Sequence, residues 1–257
     1  MTPFAGGELR SRHWRHLQNL ISLPTVGSSN DLARELIELY FEEDQVLHPA
    51  VILAEEQSRA RGRKGDAWVA PRGRGLYFTI VREAQEGEPL SVVPIAAARW
   101  IAEALRETTA VPVELKWPND LHVRRHKLAG VLAESRTQGD ETYIAVGVGL
   151  NVLGAPEQVG IPAATTLESE AGRAFELAPL LQVLLDRVDR ELADPRWEDE
   201  IAQWEKAAVH RPGDDLLVRG NGREVSGRYA GLSPEGFLRL RTASGETLIS
   251  SGELARW

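Results

Sequence analysis

The sequence predicts an α+β chain in two parts: a mixed sheet with helices over residues 1–208, and a small all-β module over 209–257. Three observations carry this. First, continuous apolar runs such as V51-I-L-A and G75-L-Y-F-T-I-V read as buried strands, and they are interleaved with helical-period segments. Second, His210-Arg211-Pro212-Gly213-Asp214-Asp215 punctuates the chain. Third, from Leu216 onward short strands alternate with glycine turns, which suits a compact barrel of SH3-like type.

Composition sets outer limits. The chain has 257 residues, 42% of them hydrophobic and 26% charged, enough for a real core. A formal net charge of −8 argues against a general nucleic-acid binder, which would need a broad basic face. No cysteine is present, so disulfides, thiol nucleophiles and Cys-ligated metals are excluded, which fits a cytoplasmic location. The first ten residues lack the apolar core of a signal peptide, and no apolar run is long enough to span a membrane.

Residues 1–22 carry no clear element. His13 and His16 lie close together but lack a third ligand, so they read as surface or packing residues. Ser28 or Ser29 can cap a helix whose apolar stripe is Leu32, Leu36, Ile37, Leu39 and Tyr40. Its start can also hold a polar ligand group. Residues 90–107 suit a buried helix with Pro94 near its start. Val113–Trp117 reads as a strand ending at Pro118-Asn119-Asp120, and 121–134 as a hairpin turning at Arg124-Arg125-His126. Thr142–Leu150 is a further strand. Its Gly147 and Gly149 share one face, so a ligand or another backbone is expected to approach there. Residues 155–175 read as loop and turn; 177–192 and 197–208 read as helices.

Between the first two strands lies E55-E-Q-S-R-A-R-G-R-K-G-D-A-W68, a local basic exception in an acidic chain. Its glycines let backbone N–H groups come close to a ligand, and its arginines supply forked donors for phosphate or carboxylate. A solvated charged loop is the bland alternative. Two further clusters, K116-W-P-N-D120 with K127-L-A-G130, and G147-V-G-L-N151, also lie at strand ends or edges. One anionic ligand would account for all three. Asp120 beside the lysines can help hold Mg²⁺ on a phosphate. Taken singly, Lys116 is an ordinary strand lysine, Asn119-Asp120 a turn and Lys127 a hairpin-edge charge. No Walker P-loop and no G-x-S-x-G elbow occurs.

Taken jointly, with S28-S-N30 and E-x-Q at 55–57, these motifs resemble those of the biotin–protein ligases, from about Pro24 to the C-terminus. The resemblance implies a catalytic domain like that of class II aminoacyl-tRNA synthetases plus an SH3-like C-terminal domain. It implies formation of biotinyl-5′-AMP from biotin and ATP with Mg²⁺, then transfer to a lysine of a biotin carboxyl carrier protein. Ser28, Ser29, Asn30 and Gln57 would bind the biotin end. Arg61, Gly62, Arg63, Lys127 and Gly130 would surround its carboxylate, with Arg61, Arg63 and Lys127 catalytic. Lys64, Gly65, Trp68, Lys116, Asn119, Asp120 and Asn151, with Arg63 and Lys127, would hold the adenylate, and Asp120 lies at the metal end.

Two residues depart from the family pattern: Ala60 replaces a usual glycine and Asp66 a usual basic residue. The stretch before the catalytic region is too short for the helix-turn-helix many members carry, so no DNA partner is expected. Members are monomers or homodimers, and the sequence leaves both open. A lipoate–protein ligase of the same fold, a non-catalytic biotin or nucleotide sensor, and a metalloenzyme using His122 and His126 are the competing readings. The last lacks a third ligand.

Overall fold

The computed structural model describes residues 14–63, 68–159, 163–220 and 222–257. Two sheets organise them. The larger has seven strands in the order β1-β2-β3-β7-β6-β5-β4. These are β1 (Asn19–Leu23), β2 (Ala50–Ala54), β3 (Gly75–Glu83), β4 (Glu114–Lys116), β5 (Asp120–Val123), β6 (His126–Gln138) and β7 (Glu141–Asn151). Only the β1–β2 pair is parallel; all other neighbours are antiparallel, so the sheet is mixed as expected.

Side-chain alternation along β2, β3 and β7 divides the core between the two sheet faces. Val51, Leu53, Leu76, Phe78, Ile80, Val146, Val148 and Leu150 join the larger cluster. That face is covered by α2 (Val93–Thr109) and α4 (Leu177–Ala193), with α5 (Trp197–Lys206) beyond. Ile52, Val81, Tyr143 and Ala145 face the other way, toward Ala33 and Ile37 of α1 (Ser29–Glu42). Burying a side chain such as Phe78 contributes about 1.5–3 kcal/mol. On this second face β7 continues past Ala145 with Gly147 and then Gly149, so the packing stops and a hollow begins.

The smaller sheet comprises β8 (Asp215–Gly220), β9 (Arg223–Leu232), β10 (Leu238–Thr242), β11 (Gly245–Ile249) and β12 (Glu253–Arg256), in the order β11-β10-β9-β8-β12. It is the expected SH3-like module. Its core is continuous with that of the larger part: Leu216, Val218, Leu238 and Leu240 belong to the same cluster as Trp117 and Trp204. Trp117 Nε1 donates to the Gly236 carbonyl at 3.0 Å, and Val209 N donates to Leu115 of β4 at 2.9 Å. Among the described residues no helix is long and apolar enough to cross a membrane.

Three local expectations are corrected. The stretch to residue 22, left unassigned, contains β1, an edge strand that is largely exposed, so no buried alternation betrays it. Residues 155–175 are not all loop. A 3₁₀ turn (Pro156–Val159) and the five-residue helix α3 (Leu167–Ala171) lie there, the latter capped by Thr166. The helix expected from residue 90 begins at Val93, where Pro94 occupies its first turn. His13 lies outside the described residues; His16 uses its backbone N–H on Asp189 at 2.6 Å.

Candidate active site

The hollow beside Gly147 and Gly149 opens into a cavity of about 590 Å³ bordered by the basic loop, the α1 start, the β5–β6 hairpin and β12. Its floor is set by strand pairing. Gly130 on β6 lies opposite Gly149 on β7, and Leu132 lies opposite Gly147. A Cβ on Gly147 would collide with the Asn30 side chain, and one on Gly149 would come within 2.7 Å of the Trp68 indole. The close approach expected at these glycines is therefore real, but the visitors are two side chains of the protein. At Gly130 a Cβ would meet Asp120 and Lys127 only at 3.4–3.5 Å, ordinary contact, so the protein's own packing does not demand glycine there.

The α1 start forms one wall. Ser28 is its N-cap and accepts from Asp31 N at 3.4 Å. Ser29 N donates to Gln57 Oε1 at 2.7 Å, which ties the helix to the segment leaving β2. Asn30 donates to the Leu132 carbonyl at 3.2 Å and to Glu134 Oε2 at 3.0 Å. Thr79 Oγ1 lies 2.7 Å from both Ser29 Oγ and Asn30 Oδ1. Ser28, Ser29 and Asn30 are all buried, and their groups are fixed before any ligand arrives.

Arg61 meets this wall from the loop. Its Nη2 donates to Asp31 Oδ1 at 2.6 Å and lies 3.3 Å from Glu134 Oε1. The hydrogen bond to Asp31 raises the Arg61 pKa further, against the opposing effect of burial. Neither carboxylate was foreseen as an Arg61 partner; 30 and 73 residues separate them from it. Arg63 and Gly62 also border the cavity, Arg63 with an exposed side chain. Ala60 is buried against Ala70 and Tyr77, with Trp68 packed beside them. Lys64, Gly65 and Asp66 lie outside the described residues.

The opposite wall is the β5–β6 hairpin. Lys127 Nζ pairs with Asp120 Oδ1 at 2.8 Å. Burial alone would push the Asp120 carboxyl up; Lys127 outweighs that and holds it down at about 2. His122 Nε2 stands 4.0 Å from the other Asp120 oxygen, beyond hydrogen-bond reach. Burial lowers the His122 pKa, and neither ring nitrogen has a hydrogen-bond partner. Asn119 lines the cavity while its side-chain amide donates to the Val131 carbonyl. Trp68 covers the floor, with Lys127 Nζ 5.4 Å from its ring centroid and its own buried Nε1 unpartnered. Lys116 borders the cavity on β4.

Asn151 stands apart from the other sequence candidates. It is buried, donates to the Thr165 carbonyl at 3.2 Å, and does not line the cavity. Arg125 and Trp257, which do line it, were not anticipated. Among the described residues no three metal-ligating side chains cluster. Asp120, already paired with Lys127 and opposite Lys116 in the β4–β5 register, does not fit a protein-held metal site.

This arrangement has relatives. Residues 26–151 match the Biotin/lipoate A/B protein ligase family, and residues 217–256 match the Biotin protein ligase C terminal domain. The biotin–[acetyl-CoA-carboxylase] ligase of Paracoccus denitrificans is 32% identical over 222 residues, 80% of this chain and 89% of that one. The corresponding Mycobacterium tuberculosis ligase is 30% identical, covering 79% of this chain and 77% of the relative. The structure of Aquifex aeolicus biotin protein ligase in complex with biotin and ATP superposes with a TM-score of 0.74 at 28% identity, covering 93% of this chain and 98% of that one. With both of its parts matched and a 32%-identical ligase covered over 89% of its length, this chain belongs to the biotin–protein ligase family.

Proposed function

We propose that the chain is an ATP-dependent biotin–protein ligase that forms biotinyl-5′-AMP and then biotinylates one lysine of a biotin carboxyl carrier protein. The observation that carries the reading is the convergence of Arg61, Arg63 and Lys127 on one glycine-floored cavity beside the polar α1 start. A plain binder of a neutral ring has no use for three cations lining its cavity.

In the first step a biotin carboxylate oxygen attacks the α-phosphorus of ATP. The new P–O bond forms as the bond to the β-phosphate bridging oxygen breaks, and pyrophosphate leaves with that electron pair. Ser28, Ser29, Asn30 and Gln57 orient the biotin ring. Lys127 stands where the carboxylate and the α-phosphate meet and offsets the charge that builds at phosphorus. Arg61 leaves Asp31 and Glu134 for the ligand anion, and Arg63 with Gly62 closes the loop over it. Trp68 covers the adenine, with Lys116, Asn119, Asp120 and the segment around Lys64 and Gly65 on the nucleotide side. Each charge-assisted hydrogen bond contributes about 1.5–3 kcal/mol, so two or three retain the mixed anhydride. Closure of the loop keeps water from it. In the second step the neutral carrier amine attacks the acyl carbon, AMP departs, and the nitrogen gives up a proton. Mg²⁺ carried by the ATP phosphates would offset charge on the leaving pyrophosphate.

Transfer to a carrier domain bearing its target lysine, with biotin and lipoate offered together alongside MgATP, tests the reading. Biotin should be attached with release of pyrophosphate. Attachment of lipoate alone, or biotin binding without pyrophosphate release, would overturn it.

A further inference from the structure

Arg61, the cation proposed above to take the ligand anion, carries two carboxylates of the protein on one nitrogen. Its Nη2 lies 2.6 Å from Asp31 Oδ1 and 3.3 Å from Glu134 Oε1. Both N–H groups of Nη2 are thereby taken, so a ligand carboxylate reaching for that end of the guanidinium has to compete with them. The two acids come from different elements, Asp31 from the first turn of α1 and Glu134 from β6. Arg61 therefore fastens the basic loop to both.

Release of this contact costs little, because each acid keeps a second partner. Arg34, three residues on in α1, lies 3.4 Å from the same Asp31 oxygen. The Asn30 amide donates to Glu134 Oε2 at 3.0 Å. Neither carboxylate is left bare when Arg61 moves, which is the condition for a contact that opens as well as closes. All three side chains are partly exposed, and solvent screening keeps such a cluster worth no more than about fivefold in an equilibrium. Glu134 also joins the two ends of the biotin site. The Asn30 that it holds belongs to the wall facing the biotin ring, and the Arg61 that it holds belongs to the anion end.

We propose that Asp31 and Glu134 act as an internal competitor for Arg61, so that only a ligand bringing its own carboxylate frees that arginine. This rests on the ligase reading above. Biotin carries such a group at its reacting end. A neutral analogue, biotin amide, does not, and it leaves Arg61 on the two acids. Recognition of the group that is to be activated thus becomes an exchange of one ion pair for another. The acids lower the affinity for biotin, and they tie the loop to α1 and β6 until the reacting carboxylate is present.

Titration calorimetry with biotin and with biotin amide tests this on Asp31→Asn and Glu134→Gln, each alone and combined with Arg61→Ala. Glutamine still accepts from Asn30, and Ser28 caps α1 through the backbone N–H of residue 31, so both single variants keep the fold. Each should bind biotin about two- to fivefold more tightly than wild type and bind biotin amide as wild type does. The gain should vanish in the Arg61→Ala background. Unchanged or weakened biotin affinity in the single variants would overturn the inference. So would a gain that persists without Arg61, because the acids would then only repel the ligand through space. A wild type that binds neither biotin nor its amide would instead remove the ligase reading itself.

Discussion

Asn30 and Gly147 share one space across the sheet: the Asn30 side chain fills the volume a Cβ on Gly147 would occupy. Asn30 can hold Glu134 and the Leu132 carbonyl only because β7 has no side chain there. Gly147→Ala is expected to cost about 1–3 kcal/mol of stability by overpacking. It should also weaken biotin binding, since Asn30 must move. Thermal melts with titration calorimetry check both. A Gly147→Ala protein with unchanged biotin affinity would place the ligand elsewhere.

Arg61 and its two carboxylates form a cluster 22–30% exposed, so it contributes less than about 1 kcal/mol to folding. Its work is with the ligand. Arg61→Ala should therefore leave the melting temperature nearly unchanged while the retained adenylate dissociates at least tenfold faster. A filter-retention chase of labelled adenylate reads the rate.

His210 gives the fold an acid limit. It sits between Trp204, Tyr229 and Trp257, accepts a hydrogen bond from Trp117 N at 3.3 Å, and has its Nδ1 buried without a partner. Burial pushes its pKa down to about 4. The unfolded chain takes up that proton near pH 6.5 while the folded chain resists it to about 4. Stability is therefore complete above 6.5, falls as pH drops through that window, and levels off below it. The loss is on the order of 3 kcal/mol. Urea midpoints at several pH values should show a shallower slope for His210→Phe than for wild type.

The two parts should unfold together. One core runs through Trp117, Trp204, Leu216 and Leu238, and Trp117 is bonded across the junction. Calorimetry should give a single transition, and Trp117→Ala should lower it by about 3–5 kcal/mol. Two separated transitions would show that residues 1–208 and 209–257 are independent units.

Much of this was legible in the sequence, for physical reasons. Buried strands such as V51-I-L-A are uninterrupted apolar runs, and the glycines of β7 announced a close approach because nothing else explains two missing side chains on one face. What approaches them was not legible, since Asn30 lies 117 positions from Gly147 and reads locally as a helix start. The partners of Arg61 were hidden likewise: Asp31 and Glu134 lie 30 and 73 positions from it, one at a helix start and one on a hairpin strand. Arg125 passed as a turn residue and Trp257 as the end of the barrel, because only the docking of β12 beside the hairpin brings them together. Asn151 matched the family motif, yet its amide is spent on the Thr165 carbonyl.

The most direct test of the central claim is the native mass of the protein after incubation with biotin and MgATP, without carrier, for wild type and Lys127→Ala. The wild type should gain the mass of biotinyl-5′-AMP, and the variant should form it 10²–10³-fold more slowly, the scale for losing one charge-stabilising donor. A wild type that gains the mass of biotin alone would contradict the account, because the cations lining the cavity would then have no phosphate to hold.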